Sequence, residues 1–231
     1  MPSILIKNAR IVNENKIFFS DILIRNSRIE RIDSEISVPE KHKIIDAENY
    51  YVLPGLIDDQ VHFREPGLTY KADISSESRA AVAGGVTSYM EMPNTIPNAT
   101  NIEKLEKKYL LAKNKSLANY SFFMGTTNNN SNEVLKIDKQ NICGIKIFMG
   151  SSTGNMLVDS ESALRNIFKN SEILIATHCE DENTIRDNLK KAKKLFGKKI
   201  PIQQHPIIRS HEACYLSSSK AIQLAKEYDT R

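Results

Sequence analysis

The chain of 231 residues is 40% hydrophobic and 26% charged, which is typical of a globular protein large enough to bury a core. Its formal net charge is +4, and its one dense basic run, at 190–199, has no interleaved aromatic residues, which argues against nucleic-acid binding. No apolar run approaches the roughly 18 residues that span a membrane, no secretory signal begins the chain, and three cysteines form no CxxC motif, so we expect a cytoplasmic protein.

Two patterns divide the chain near residue 54. Before it, short segments of alternating apolar and polar residues predict a small antiparallel sheet with one face in water, in residues 1–53. After it, extended segments alternate with helical ones, which predicts parallel strands joined by crossover helices. The predicted strands are LIDDQVHF, TSYMEMP, NYSFFMGTT, CGIKIFMGSS and EILIATHCE, and the predicted helices lie near 72–83, 102–115, 132–138, 160–169, 181–196 and 210–228, the last with Ser210 as its N-cap.

Four of the five predicted strands end in polar or ionisable side chains. They are His62 with Arg64, then Asn94, Lys146 and His178. In a parallel α/β barrel the carboxyl ends of all strands open on one face, where catalytic groups lie. We therefore expect these side chains to meet.

The first strand places Asp58, Gln60, His62 and Arg64 on one side, because side chains alternate along a strand. Two histidines two residues apart are a common way to hold a transition metal, and here Gln60 takes the first position. His62 is thus a candidate metal ligand, and Gln60 and Asp58 are further candidates. The alternative is a turn with an isolated histidine.

Lys146 lies between two isoleucines in an otherwise apolar strand, where an unpaired ammonium is costly to bury. Burial lowers the pKa of a lysine, and the neutral amine can add carbon dioxide to form a carbamate that bridges two metal ions. Alternatively, Lys146 reaches the barrel mouth or pairs with an acid such as Glu180. His178, at the next strand tip, is either a third metal ligand or a hydrogen-bonded structural residue.

Arg64 and Asn94 suggest an anionic substrate, because arginine offers a planar fork for a carboxylate and asparagine adds a neutral donor. Either could instead be an ordinary turn or salt-bridge residue. The loop at 150–154 does not match a phosphate-binding fingerprint, and we expect it to border the site.

At these residues the sequence resembles the dihydroorotases of the longer bacterial type, in the amidohydrolase superfamily. The motifs are PGLIDDQVHFREPG, MPNT, IKIFMGSSTG and THCED. The pairing of REPG with MPNT is the more specific part, since hydantoinases and allantoinases lack it. The resemblance implies an α/β fold of the TIM type, with residues 1–53 as part of a small β-sandwich and residues 54–231 as the first part, about five strands, of a (β/α)8 barrel.

The resemblance also implies an activity: a zinc-dependent cyclic amide hydrolase that reversibly converts L-dihydroorotate to N-carbamoyl-L-aspartate in pyrimidine biosynthesis, through metal-bound hydroxide. His62, carbamylated Lys146 and His178 would hold one or two zinc ions, Arg64 and Asn94 would bind substrate, and Asp58 would support the metal shell. Gln60 replaces the first histidine of the usual motif, so the more buried metal position is expected to be weak or empty. The family resemblance further predicts a homo-oligomer.

The catalytic aspartate and a further metal-binding histidine of the family are expected beyond Arg231, so the chain is expected to be the front part of a longer protein and no catalytic residue is assigned within it. Two alternatives remain. One is a non-catalytic homologue that is a structural partner of aspartate transcarbamoylase, which Gln60 favours. The other is a related hydantoinase or allantoinase.

Overall fold

The computed structural model describes residues 3–38, 41–150 and 154–231. By its internal contacts the chain divides into two compact units, Met1–Leu56 and Ile57–Arg231. No helix in the described ranges is both long enough and apolar enough to cross a membrane.

The first unit is one five-stranded mixed sheet. Its strands are β1 Ser3–Asn13, β2 Lys16–Arg25, β3 Arg28–Asp33, β4 His42–Asp46 and β5 Tyr51–Val52. β1 pairs antiparallel with β2, and β2 with β3, whereas β4 and β5 both run parallel to β1. The prediction of an antiparallel sheet was therefore wrong for β4 and β5, because alternation indicates which face is buried but not which way a strand runs.

The second unit is a parallel half-barrel of five strands with helices between them. Its strands are β6 Leu56–Val61, β7 Val86–Glu91, β8 Asn119–Gly125, β9 Gly144–Phe148 and β10 Ile175–His178, adjacent in that order. β7 to β10 are parallel neighbours, and β6 and β10 form the edges. The α-helices are α1 Ile74–Ala83, α2 Ile102–Lys113, α3 Ser131–Val134, α4 Glu161–Asn170, α5 Glu182–Phe196, α6 His205–Ile208 and α7 His211–Tyr228, with a 3-10 turn at Ile202–Gln204.

These elements confirm the predicted α/β order. Capping residues determine where five of the helices begin. Five helices begin after a residue whose side chain accepts a hydrogen bond from a backbone N–H three residues on: Asp73, Asn101, Ser160, Asp181 and Ser210. Such a cap satisfies one of the free N–H groups of a first helical turn. The lysines at 190–194 are exposed, as expected for a solvated helix face.

The core of the second unit lies between the sheet and its helices. Ile145 and Ile147 of β9 are 1% and 0% exposed and belong to one cluster with Leu164 and Ile167 of α4. Alternation therefore places Lys146 and Phe148 on the opposite side of β9. This is the side on which the strand tips can form a site.

We predict that Ile147→Ala lowers the free energy of unfolding by about 2–5 kcal/mol, because it leaves a cavity at a fully buried position. Ile222→Ala, on the exposed face of α7, should change it by less than about 0.5 kcal/mol. Urea denaturation followed by circular dichroism measures both. Equal losses in the two variants would contradict this assignment of the core.

Candidate active site

The first strand tip turns His62 away from the core. Phe63 is 6% exposed and its ring centroid lies 4.4 Å from that of Tyr89, and Val61 packs on the same cluster. His62, between them, faces the other side, as alternation predicts. β6 ends at Val61, and Arg64 has a positive φ of 66°, so the alternation of side chains along the strand does not extend to Arg64. Strand alternation therefore does not determine which way Arg64 points, as the sequence analysis had assumed.

The other two candidates on this strand are Gln60 and Asp58. Gln60 and Asp58 are both exposed, and an Asp58 carboxylate oxygen accepts the backbone N–H of Gln60 at 3.1 Å. Asp58 is thus occupied with its own strand. Their roles at a metal remain predictions.

Three contacts join the loops that follow β6 and β7. The Met92 N–H donates to the Val61 carbonyl at 3.0 Å, and the Ile96 N–H donates to the Pro66 carbonyl at 3.0 Å. His62 Nδ1 lies 2.9 Å from Asn94 Oδ1. An amide oxygen only accepts, so Nδ1 carries the proton in this bond and Nε2 keeps its lone pair.

The surroundings of His62 favour its neutral form. Burial lowers its pKa; the hydrogen bond to Asn94 opposes this, while the positive charges of Arg64 and Lys146 lower the pKa further. A neutral imidazole is the form that binds a metal.

Arg64 and Asn94 both keep donors available. Within the described ranges, no hydrogen bond or ion pair involves the Arg64 guanidinium, and Asn94 uses only its oxygen. The alternative that Arg64 forms an ordinary salt bridge finds no support in this part of the chain. An unpaired guanidinium beside a free amide NH2 can bind a carboxylate.

Lys146 is buried without a carboxylate partner. It is 3% exposed, and its Nζ lies 5.0 Å from the centre of the Phe148 ring. No hydrogen bond or ion pair reaches this amine from the described residues, so Glu180 is not its partner. Burial lowers the pKa of Lys146, with Cys179 opposing, and so increases the fraction present as the neutral amine.

His178 lies on the strand next to Lys146 and is oriented by a carboxylate. In the parallel register Lys146 is opposite Ala176, and Phe148 is opposite His178, so all four share one side of the sheet. His178 Nε2 donates to Glu180 Oε2 at 2.8 Å, which leaves Nδ1 available.

Glu180 in turn accepts from Arg209 at 2.5 Å. Partial burial raises the pKa of Glu180, but the hydrogen bonds from His178 and Arg209 outweigh it and hold that pKa below its ordinary value. No motif in the sequence signals Arg209, which lies 29 residues from Glu180 at the end of a short helix.

Each imidazole therefore donates one N–H to a protein oxygen and keeps its second nitrogen free, an arrangement that orients metal-binding histidines. In residues 3–38, 41–150 and 154–231, no group of three or more His, Cys, Asp or Glu side chains could hold a metal ion. The loop expected to border the site includes 151–153, which lie outside the described residues.

We predict that Gly67→Ala destabilises the protein more than Gly85→Ala does. Both glycines have positive φ, at 85° and 86°, so each substitution costs about 1–2 kcal/mol of backbone strain. A Cβ at Gly67 would also lie 2.1 Å from the Ile96 carbonyl oxygen, whereas a Cβ at Gly85 would meet nothing within 4 Å. Gly67→Ala should in addition shift the amide NMR signals of residues 94–96. Equal stability losses without such shifts would show that the two loops are not closely packed.

Comparisons with known proteins identify the family of this chain. A family model described as dihydro-orotase-like matches residues 50–197. The dihydroorotase of Methanosarcina mazei is 35% identical over 100% of this chain and 49% of its own length, and that of Methanosarcina acetivorans is 38% identical over 79% of this chain and 39% of its own. The chain spans about half the length, or less, of these curated relatives.

The structure of an L-hydantoinase (dihydropyrimidinase) from Arthrobacter aurescens is similar over 100% of this chain and 52% of its own, with a TM-score of 0.92 and 26% identity. This likeness confirms the predicted fold class. The family model covers well over half of the sequence. The chain therefore belongs to the dihydroorotase-like family of cyclic amidohydrolases.

Proposed function

We propose that this chain carries part of the active site of a zinc-dependent dihydroorotase, which interconverts L-dihydroorotate and N-carbamoyl-L-aspartate in the cytoplasm. The observation that carries the proposal is the buried, unpaired Lys146 on the same side of the sheet as His178. Across the site, Arg64 and Asn94 keep donors for an anion. Metal ligands beside a carboxylate-binding pair suit a cyclic amide that bears a carboxylate.

The metal would be held by His62 through Nε2, by His178 through Nδ1 and by Lys146 as a carbamate. The Lys146 ammonium would lose one proton to give the amine. The amine would attack carbon dioxide, forming an N–C bond as one C=O π bond opens onto oxygen, and would lose a second proton, so that a cation becomes an anion. When bound, zinc would supply an activated water and polarise the amide carbonyl of the substrate. The free nitrogens and the unpaired amine support this ligand set.

Arg64 would bind the substrate carboxylate through its planar fork, and the Asn94 NH2 would donate a second hydrogen bond. Asn94 would also hold the His62 ring through its Oδ1, at the observed 2.9 Å. Asn94 would thus orient both the substrate and the metal-binding His62 ring. Glu180 would orient His178 in the same way.

A second candidate is a non-catalytic structural partner of aspartate transcarbamoylase, active only in assembly. Gln60 favours it, because an exposed neutral amide is a poorer zinc ligand than the histidine of the usual motif. A homo-oligomer fits either function. Metal content and turnover separate the two.

We expect zinc binding to depend on both Lys146 and carbon dioxide. Metal-stripped protein reconstituted with zinc should take up more metal in bicarbonate buffer than in buffer purged of carbon dioxide, because only the carbamate supplies anionic oxygens. In the full-length protein, Lys146→Ala should lose zinc uptake and dihydroorotate turnover in both buffers. Atomic absorption and carbon-13 NMR with labelled bicarbonate measure metal and carbamate.

Lys169→Ala, at an exposed position of α4, is the matched control and should bind zinc as the unsubstituted chain does. Zinc uptake by Lys146→Ala equal to that of the control would refute the ligand assignment. A full-length protein that folds but binds no metal and turns over no dihydroorotate would favour the structural-partner function.

The choice of substrate tests the proposed role of Arg64 in binding a carboxylate. Arg64→Ala should raise KM for dihydroorotate about 10- to 100-fold, the loss expected for a charged hydrogen bond. Any turnover of hydantoin, which lacks a carboxylate, should stay within about twofold of that of the unsubstituted protein. Steady-state kinetics on dihydroorotate, hydantoin and allantoin measure both effects.

Arg79→Ala, on the exposed face of α1, is the matched arginine control. It should change neither the KM for dihydroorotate nor the turnover of hydantoin. If Arg64→Ala lost the same fraction of its activity on dihydroorotate and on hydantoin, Arg64 would have a structural role. If the unsubstituted protein preferred hydantoin or allantoin, its function would be that of a hydantoinase or an allantoinase.

A further inference from the structure

The carboxylate that orients His178 is held by a residue from a distant turn. One oxygen of Glu180, Oε2, accepts a hydrogen bond from His178 Nε2 at 2.8 Å and another from Arg209 Nη1 at 2.5 Å. The bond from Arg209 joins two charged groups, and such bonds are stronger than neutral ones. Because the Glu180 side chain is only 15% exposed, water competes little for this oxygen. Arg209, which is not among the residues assigned to metal or substrate above, therefore holds the acceptor of the His178 ring in place.

The backbone of Glu180 is fixed by other contacts. A Cβ at Gly150 would lie 2.1 Å from the Glu180 carbonyl oxygen, so the loop that follows β9 passes directly against this residue. The N–H of the next residue, Asp181, donates to the Ala213 carbonyl in α7 at 2.9 Å. These contacts leave the glutamate side chain, with its several rotatable bonds, as the part whose position still has to be set.

Arg209 lies in the turn between α6 and α7, and this turn is held by contacts of its own. The Arg209 N–H donates to the His205 carbonyl at 2.9 Å. The Asn188 side chain, in α5, donates to the carbonyls of Ile207 and Ile208 at 3.2 and 3.3 Å. The guanidinium thus reaches Glu180 from a backbone that is itself hydrogen-bonded to α5.

We propose that Arg209 is a positioning residue for His178 and that it acts through Glu180. By holding the carboxylate against Nε2, Arg209 keeps the ring proton on that nitrogen and leaves the lone pair on Nδ1, the nitrogen assigned to the metal. That His178 binds a metal rests on the proposed function, whereas the orientation of its ring does not. Without Arg209, the Glu180 side chain can rotate towards water, and the ring loses its fixed acceptor.

The test removes the guanidinium from the full-length protein. Arg209→Met should weaken zinc binding about 10- to 100-fold, the usual loss when a partner of a metal ligand is removed, as measured by competition with a chelating dye. In the metal-free protein at mildly alkaline pH, nitrogen-15 NMR should find the His178 proton on Nε2 in the unsubstituted protein and shared between both nitrogens in the variant. If Arg209→Met does not fold, Arg209→Gln, which keeps a polar group, should show the same changes in smaller measure.

A double-mutant cycle tests whether Arg209 acts through Glu180. Glu180→Ala should by itself weaken zinc binding, because the ring loses its acceptor. Adding Arg209→Met to Glu180→Ala should weaken zinc binding by less than about a further twofold, since the carboxylate that Arg209 holds is already gone. Two full losses that multiply in the double variant would overturn the proposal that Arg209 acts through Glu180.

The matched control is Arg186→Met, which removes an exposed arginine that pairs with Glu182 in α5 at 3.1 Å. It should change neither the zinc affinity nor the position of the His178 proton. An unchanged proton position in a folded Arg209 variant, or zinc affinity equal to that of the unsubstituted protein, overturns the proposal. A proton position that changes with Arg209 in a protein that never binds zinc would support the positioning role and refute the proposed function.

Discussion

The register of the parallel sheet is the constraint on which the site depends. Ile145 and Ile147 face the helices, so Lys146 must face the other way, and the pairing of β9 with β10 gives His178 the same side. A slip of one residue in β9 would bury the ammonium among leucine and isoleucine side chains and would expose both isoleucines. The apolar residues that stabilise the core thus determine where the chemistry lies.

The loops that carry the remaining site residues are fixed by polar contacts instead. Buried Glu65 accepts the first N–H of α1 at 3.0 Å and forms an ion pair with Lys115, which ties the first loop to α1 and to the turn that follows α2. The absence of a side chain at Gly67 lets that loop lie against the Ile96 carbonyl. Loops are usually the more mobile part of a barrel, and here backbone hydrogen bonds give them the rigidity that a binding site requires.

The sequence predicted the parallel fold because its signals are local. Apolar runs, capping residues such as Asp73 and Asn101, and polar strand ends are all read within a few positions of one another. The pairing of β4 and β5 with β1 could not be read in this way, since strand direction depends on distant partners. The burial of Lys108 was missed because this residue lies in a lysine-rich helix. Its spacing from buried Leu105 and Ala112 is the one signal that it occupies the apolar face.

The charges around the site explain why one location could serve both a cation and an anion. Arg64, Lys146 and Lys108 all lower the pKa of His62, so the bare site is positive and suits an anion rather than a metal ion. A carbamate on Lys146 would change the local charge by two units without moving the backbone. Arg64 would then be the remaining unpaired cation of this group, because Lys108 is neutralised by Glu91. In that state the metal and the substrate carboxylate would each meet a group of opposite charge.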